Sequence, residues 1–199
     1  MVPRCTRCAL QVPGGVHVCG ACLTDPPAQD GALAAMDYAH PWDRLIGKYK
    51  FNAALDLSVS FAQSLERAWR SAGLPKPDLI VPVPLSNQRL RERGFNQSWE
   101  IARRLAARIG CKADALLLLR IKDTPHQLAF PVDKRAANVK GAFAIEPRRA
   151  AELRGKVVVV LDDVMTTGAT AAETARVLKH SGAAQVHAWV VARTPTPGE

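Results

Sequence analysis

The segment from Val157 to Thr170 combines residue types that suit the binding of a sugar phosphate. Four valines and a leucine lead into Asp162 and Asp163, and a Thr-Thr-Gly-Ala-Thr turn follows before a helical pattern begins. The apolar run predicts a strand buried in a parallel sheet, and such sheets bind ligands at the carboxyl ends of their strands. Ionised carboxylates accept hydrogen bonds from sugar hydroxyls, whereas the backbone N–H groups at a helix start favour phosphate.

This segment resembles the motif that binds phosphoribosyl pyrophosphate (PRPP) in type I phosphoribosyltransferases. The resemblance implies that Asp162 and Asp163 hold the 2′- and 3′-hydroxyls of ribose, and that the turn after them wraps the 5′-phosphate. The residues of the turn are Thr166, Thr167, Gly168, Ala169 and Thr170. In a working transferase the two acids are the catalytic pair, acting by electrostatics and positioning, and Mg²⁺ bridges the pyrophosphate and the ribose hydroxyls. An ordinary buried strand that ends in an acidic cap and a turn is the alternative.

The predicted sheet begins at Asp78 with a short apolar run. Prolines at positions 82 and 84 make the end of this strand irregular. Residues 83–95 follow as a loop, and Gly94 permits a sharp turn into an amphipathic helix over residues 97–109. Arginine binds phosphate oxygens with two parallel hydrogen bonds, and the resemblance assigns this loop to the pyrophosphate of PRPP. The candidate residues are Ser86, Arg89, Arg91 and Arg93. Three solvated surface arginines are the alternative.

Two further segments are predicted to surround this site. Residues 54–70 carry an apolar residue at every fourth position, which predicts an amphipathic helix with a core-facing stripe. The stripe consists of Leu57, Phe61, Leu65 and Trp69. Residues 120–138 are polar and interrupted by proline, and the type I resemblance places there a flexible loop that closes over PRPP. Its candidate contacts are Lys134, Arg135 and Asn138, and an exposed connector is the alternative.

Four of the five cysteines lie in the first 22 residues as two C-x2-C pairs, Cys5 with Cys8 and Cys19 with Cys22. Such pairs suit tetrahedral Zn²⁺, and four thiolates leave no coordination position for a catalytic water. Few apolar residues surround them, so metal binding would supply most of the local folding free energy. Disulfide formation is the rival interpretation, which the lack of a secretory signal pattern disfavours.

The composition predicts one good core with a small appendage. The chain has 199 residues, 48% of them hydrophobic, and its net charge of +9 favours anionic partners such as phosphorylated metabolites or nucleic acid. We expect a zinc ribbon and proline-rich linker over residues 1–30, a phosphoribosyltransferase-like domain over 31–194 and a flexible tail over 195–199. No run approaches the ~20 apolar residues of a membrane span. The N-terminus lacks the basic-then-apolar pattern of a secretory signal, and we therefore expect a cytoplasmic protein.

Several motifs make the resemblance narrower, since over nearly the whole chain they are similar to those of the ComF family of competence proteins. They are the runs 78–86, 89–98, 135–143, 162–170 and 192–195, together with the ribbon. Neither the Arg-Gly-Phe-Asn-Gln run at 93–97 nor the ribbon is a general feature of phosphoribosyltransferases. The resemblance implies an α/β fold of the type I phosphoribosyltransferase class, with a mostly parallel twisted sheet flanked by helices and a small N-terminal zinc ribbon.

The ComF resemblance also implies a function in natural transformation. Its expected partners are PRPP or a related ribose phosphate, incoming single-stranded DNA and the competence helicase machinery. Phe95 and Trp99 are candidate stacking platforms for bases, with core packing as the alternative. A different class of function stays open, namely an active phosphoribosyltransferase (a pentosyltransferase) of nucleotide salvage that transfers ribose 5-phosphate from PRPP to an unidentified base. The oligomeric state stays open as well.

Overall fold

A parallel sheet of five strands runs through the computed structural model, which describes residues 2–52, 54–122 and 139–195. Its strands are β1 Gly31–Asp37, β2 Leu79–Pro82, β3 Lys112–Ala113, β6 Val157–Met165 and β7 Gln185–Arg193. Their order is β1-β7-β6-β2-β3, and each neighbouring pair is parallel. A separate antiparallel pair consists of β4 Leu118–Arg120 and β5 Phe143–Ile145. The predicted α/β fold with a mostly parallel sheet is confirmed.

Helices flank the sheet on both faces. The helices of the described residues are α1 Gly20–Thr24, α2 Trp42–Phe51, α3 Leu57–Ser71, α4 Asn87–Arg93, α5 Gln97–Ile109 and α6 Ala169–His180, with a 3-10 helix at Pro147–Leu153. Residues of α2, α3 and α5 share one hydrophobic cluster with one face of the sheet, and residues of α6 join the cluster on the other face. Helices therefore cover apolar side chains on both faces of the parallel sheet.

Strand β6 is buried on both faces because its alternate residues belong to two different hydrophobic clusters. Val159 and Leu161 pack with residues of α3 and α5, whereas Val158 and Val160 pack with Leu178 of α6. Strands β2 and β7 pair with it on either side. A strand covered on both faces and both edges has no solvated side, which is why its sequence is a continuous apolar run.

Both amphipathic helices predicted from periodicity are present. The helix predicted after Gly94 coincides with α5, and the other one, α3, begins three residues later than expected, at Leu57. Phe61 and Leu65 lie in the core, 2% and 0% exposed. Trp69 is partly buried at the margin of the same cluster. The apolar stripe of α3 is therefore core, as the spacing by four predicted.

The expectation that the sheet begins at Asp78 is wrong, because β1 forms one edge of the sheet earlier in the chain. It pairs with β7 from Gly31 opposite His187 to Asp37 opposite Arg193. Three of its seven residues are alanine, which has a low preference for strands. Pairing with β7 therefore decides the conformation of β1, and its own residues give little sign of it.

Some of the predicted residues lie outside the part of the chain that the structure describes. They are Lys134, Arg135 and Asn138 of the predicted flexible loop and residues 196–199 of the predicted tail. In the part that is described, no helix combines the length and the apolar character needed to cross a membrane.

The burial of β6 predicts a large cost for a cavity in this strand. Replacing the fully buried Leu161 by alanine is expected to lower the free energy of unfolding by about 3 kcal/mol, because it removes apolar contacts and leaves a void. The matched control is Leu116→Ala, since that leucine is 71% exposed and its truncation should cost less than ~0.5 kcal/mol. Urea denaturation measures both, and equal effects would contradict this assignment of the core.

Candidate functional site

A cleft opens at the carboxyl ends of β2 and β6. In the strand order, β3 lies beyond β2 and β7 lies beyond β6. The chain therefore leaves these two adjacent strands in opposite directions across the sheet. Open α/β sheets bind their ligands at such a switch point. The cleft has a volume of about 290 Å³. Its walls include Tyr38, Lys50, Phe51, Arg89, Arg93, Asp162, Asp163, Thr166 and Thr170.

The two carboxylates of the cleft have different partners. Asp163 is 4% exposed, and its Oδ1 lies 2.9 Å from the ammonium of Lys50. Its Oδ2 is buried without a hydrogen-bond partner among the described residues. Asp162 accepts hydrogen bonds from the hydroxyl of Ser98 at 3.0 Å and from the backbone N–H of Asp163 at 2.9 Å. An unpartnered buried oxygen costs free energy, so a ligand hydroxyl that donates to it would be stabilised.

Asp162 changes its charge near neutral pH. Desolvation by the surrounding protein raises the pKa of Asp162 to about 7, and the negative charge of Asp163 adds to the rise. Lys50, the backbone N–H of Asp163 and the hydroxyl of Ser98 lower the pKa, but their combined effect is smaller. The carboxylate is desolvated by dense packing although part of its residue remains accessible from the cleft. Its capacity to accept hydrogen bonds from hydroxyls therefore increases with pH.

Lys50 is a site residue that the sequence analysis missed. The helix that carries it, α2, buries Ile46 and Tyr49 in the core, and this packing brings Lys50 to the mouth of the cleft. The Tyr49 hydroxyl donates to the carbonyl of Gln97 at 2.7 Å and thereby joins α2 to α5. No local motif marks Lys50, because its contact with Asp163 exists only after α2 has packed over the end of β6.

The predicted phosphate turn connects the end of β6 to the start of α6. Thr166 and Thr167 are exposed, and Gly168 has φ +85°, a left-handed conformation that favours glycine. Helix α6 has no acidic residue in its first turn, so no carboxylate of that turn compensates its positive dipole end. All five turn residues line a small pocket of about 60 Å³ together with Asp162. Backbone N–H groups in this position can hold a phosphate group.

The arginines predicted on a loop lie on the short helix α4. The hydroxyl of Ser86 accepts a hydrogen bond from the backbone N–H of Arg89 at 3.3 Å and caps the start of this helix, and Gly94 with φ +77° follows its last residue. Residues four apart share a helix face, so Arg89 and Arg93 both line the cleft. Arg91 is exposed and does not line it. The structure thus brings two of the three predicted arginines to the cleft and gives Ser86 a capping contact.

The Arg-Gly-Phe-Asn-Gln run fixes α4 against α5. Arg93 Nη1 donates to Oε1 of Gln97 at 2.6 Å, and Arg93 also lies over the ring of Phe51, 5.4 Å from its centroid. Phe95 packs against Tyr49, with ring centroids 5.9 Å apart. Phe95 and Trp99 are both partly buried against the core, which favours packing over the alternative of a base-stacking platform.

Asn96 and Ser98 connect this run to the strands. Asn96 Oδ1 accepts from the backbone N–H of Ser98 at 2.9 Å and caps α5, and its amide donates to the carbonyl of Val83 at 3.1 Å, just after β2. Ser98 is fully buried and donates to Asp162. An asparagine before an amphipathic helix is a recognisable capping signal. No local sequence signal marks the hydrogen bond from Ser98 to Asp162, because the two residues are 64 positions apart in the chain.

The four N-terminal cysteines form one cluster, as their spacing predicted. Their Sγ atoms all lie within 4.8 Å of one another, and those of Cys8 and Cys19 are 3.7 Å apart. Tetrahedral Zn–S bonds of about 2.3 Å would place the sulfurs about 3.8 Å apart. All four cysteines are free thiols, contrary to the disulfide interpretation. The donor set and its spacing fit a structural metal such as zinc.

Backbone donors lower the pKa of the Cys5 thiol, whereas burial raises the pKa of Cys8 and of Cys22. Burial by itself would raise the pKa of Cys5, but hydrogen bonds from the backbone N–H groups of Cys19, Arg7 and Cys8 outweigh it and lower the pKa to about 7. For Cys8 burial dominates and raises the pKa to about 11. N–H donors aimed at a sulfur are typical of the surroundings of metal-bound cysteines.

Comparison with known proteins agrees with this geometry. The family described as "Phosphoribosyl transferase domain" matches residues 96–199, which contain α5, β6, the phosphate turn and β7. "DNA utilization protein YhgH" of Salmonella typhi is 36% identical to this chain over 197 residues, which cover 97% of this chain and 85% of that protein.

Two competence proteins are also similar to this chain. "Competence protein F" of Haemophilus influenzae is 29% identical over 96% of this chain and 85% of that protein. "Competence protein ComFC" of Bacillus subtilis is 25% identical over 75% of this chain and 58% of that protein. With its four-cysteine N-terminus, its parallel sheet and its phosphoribosyl transferase domain, this chain belongs to the ComF family of phosphoribosyltransferase-like proteins.

Proposed function

We propose that this protein binds PRPP or a related ribose phosphate together with Mg²⁺, and that it supports the handling of single-stranded DNA in natural transformation. One observation carries the ligand assignment: an acidic pair, a helix-start phosphate turn and two arginines line the same cleft. Each component suits a different part of PRPP. Carboxylates accept hydrogen bonds from ribose hydroxyls, a helix start binds the 5′-phosphate, and arginine binds the pyrophosphate.

The proposal gives each part of the cleft a role. Asp162 and Asp163 bind the ribose hydroxyls, and the unpartnered Oδ2 of Asp163 supports this assignment. The turn from Thr166 to Thr170 binds the 5′-phosphate. Of the pyrophosphate candidates, Arg89 and Arg93 are favoured because they line the cleft. Ser86 and Arg91 remain candidates for contacts with the pyrophosphate. Lys134, Arg135 and Asn138 remain candidates for contacts from the predicted flexible loop.

Mg²⁺ would come to this site with PRPP. It prefers oxygen ligands, which the pyrophosphate, the ribose hydroxyls and the two carboxylates offer, and when bound it would neutralise phosphate charge. The carboxylates would orient the ribose and stabilise positive charge that develops at its anomeric carbon. Lys50 offsets one of their two negative charges and so limits their repulsion of the phosphates.

The cysteine cluster is proposed to hold a structural Zn²⁺. Four protein ligands fill a tetrahedral site, so the metal would stabilise the fold and would not activate water. Cysteines that bind a metal must stay reduced, and we therefore propose that the protein lies in the cytoplasm.

The DNA function is supported by relatives and by charge. The relatives carry the words "DNA utilization" and "competence" in their names, and the net charge of +9 favours phosphate backbones. The α4 arginines are proposed to contribute to this contact, with the competence helicase machinery as a protein partner. Because Arg89 and Arg93 also face the cleft, bound PRPP and bound DNA would compete for them.

A second candidate function is an active phosphoribosyltransferase. Phe51 favours it, because this aromatic residue is 68% exposed at the cleft and the guanidinium of Arg93 lies over its ring, so a base could stack beside it. This candidate is tested by incubating the protein with PRPP, Mg²⁺ and each base of a purine and pyrimidine panel and measuring the pyrophosphate released. Turnover with any one base would identify the acceptor.

The acidic pair is expected to determine PRPP affinity. Asp162→Asn/Asp163→Asn should weaken PRPP binding at least tenfold, because the amides keep the size of the side chains but lose the charged acceptors. Calorimetry with Mg²⁺ measures the affinity, and Asp56→Asn, an exposed residue without a capping contact, is the matched control. No PRPP binding by the unmodified protein would overturn the ligand proposal.

The affinity for PRPP is expected to depend on pH. The pKa of Asp162 is raised to about 7, so its ionised form increases as pH rises from 6 to 8, and PRPP affinity should rise over this interval. The ligand phosphate also titrates, with a pKa of about 6, but that contribution persists in Asp162→Asn. The difference between the two pH profiles isolates the carboxylate, and identical profiles would contradict its role.

The zinc proposal predicts that Cys8→Ser loses the metal and lowers the melting temperature, because one of four thiolate ligands is gone. Elemental analysis should find about one zinc per unmodified chain, as a four-thiolate site binds one ion. Cys111→Ser is the matched control, because Cys111 is outside the cluster and should not affect metal content. Full zinc content in Cys8→Ser would speak against the site.

The DNA proposal predicts that Arg89→Gln/Arg91→Gln/Arg93→Gln weakens binding of a single-stranded oligonucleotide about tenfold or more at low salt. The salt dependence should also become shallower, by about 0.7 in logarithmic slope for each lost phosphate contact. The control variant, with equal loss of charge, neutralises the groove at the amino ends of β2, β3 and β6 with Lys76→Gln/Lys112→Gln/Lys156→Gln. Equal losses in both variants, or no binding by the unmodified protein, would contradict the assignment.

A further inference from the structure

Arg193, in the Ala-Arg-Thr-Pro run at the end of β7, joins the cysteine cluster to the phosphate turn. It is 5% exposed, so its guanidinium is almost completely removed from water. Its Nε donates to the carbonyl of Cys8 at 2.8 Å. Its Nη1 donates to the carbonyls of Met165 at 3.0 Å and of Thr166, and to that of Thr194 at 2.8 Å. One side chain therefore contacts a cysteine of the cluster and the first residue of the phosphate turn.

A second contact runs between the same two regions and does not involve Arg193. Ala9, which follows Cys8, is fully buried and has φ +59°, a conformation uncommon for a residue other than glycine. It packs in a hydrophobic cluster with Met165 and Ala171. Both of those residues line the 60 Å³ pocket of the phosphate turn. The first C-x2-C loop therefore lies directly behind that pocket.

We propose that Arg193 is a positioning residue through which the metal-loaded cysteine cluster holds the phosphate turn in its binding conformation. A guanidinium presents its donors in a rigid plane, so the carbonyls of Cys8 and Thr166 cannot move independently while both are bound to it. The buried positive charge also lies near the anion pocket and favours an anion there. The ribbon is then a component of the phosphate site, and metal binding and ribose-phosphate binding strengthen each other.

This inference rests on the proposed function, because it assumes that the turn binds phosphate and that the cluster binds zinc. Coupling between two sites is reciprocal, which allows a test without mutation. Ribose 5-phosphate affinity is measured by calorimetry on zinc-loaded and chelator-treated protein, and zinc affinity is measured by chelator competition with and without ribose 5-phosphate. Circular dichroism identifies the temperature range in which the metal-free chain stays folded.

We expect zinc to strengthen ribose 5-phosphate binding at least fivefold, and ribose 5-phosphate to strengthen zinc binding by the same factor. Arg193→Met should weaken ribose 5-phosphate binding at least tenfold in the zinc-loaded protein and should abolish the reciprocal effect. Arg193→Lys, which keeps the charge, should retain part of both. Arg7→Met is the matched control, because Arg7 donates to the carbonyl of Asp30 between the ribbon and β1 without contacting the phosphate turn.

The outcomes separate the two proposals. If zinc-loaded protein binds neither ribose 5-phosphate nor PRPP, the proposed function fails and this inference fails with it. If the protein binds them but zinc affinity is the same with and without ligand, only the inference fails. A folded Arg193→Met variant with unchanged affinity would also overturn it. Should Arg193→Met not fold, the measurements on the unmodified protein still decide.

Discussion

Two adjacent carboxylates at the end of the central strand are the constraint on which the arrangement of the cleft depends. Burial of like charges is unfavourable unless each finds a partner, and here the partners come from two different helices. Ser98 of α5 donates to Asp162, and Lys50 of α2 pairs with Asp163. A further hydrogen bond from Tyr49 to the carbonyl of Gln97 joins these two helices. The positions of α2 and α5 relative to β6 are thus linked to the electrostatics of the acidic pair.

The cleft separates its charges by secondary structure. Negative charge lies at the end of β6, whereas positive charge comes from Lys50 of α2, from the start of α6 and from one face of α4. A ligand with hydroxyls in its middle and phosphates at both ends would meet a suitable partner at each position.

The ribbon is integrated with the sheet through several kinds of contact. Thr6 accepts a hydrogen bond from the backbone N–H of Ala32 in β1, and Arg4 pairs with Asp37 at 2.9 Å. Arg193 adds the link to the phosphate turn. A small segment with so few apolar residues gains order both from these contacts and from the metal proposed for its cysteines.

The sequence by itself determined the elements whose signals are local. The apolar run of β6, the stripe of α3 and the paired cysteines each predict a structure from spacing alone, and the structure has all three. Contacts between distant segments were decided only by the tertiary structure. Alanine-rich β1 is a strand because β7 pairs with it, Arg91 misses the cleft because α4 is a helix, and Lys50, Ser98 and Arg193 acquire their partners only when separate elements pack together.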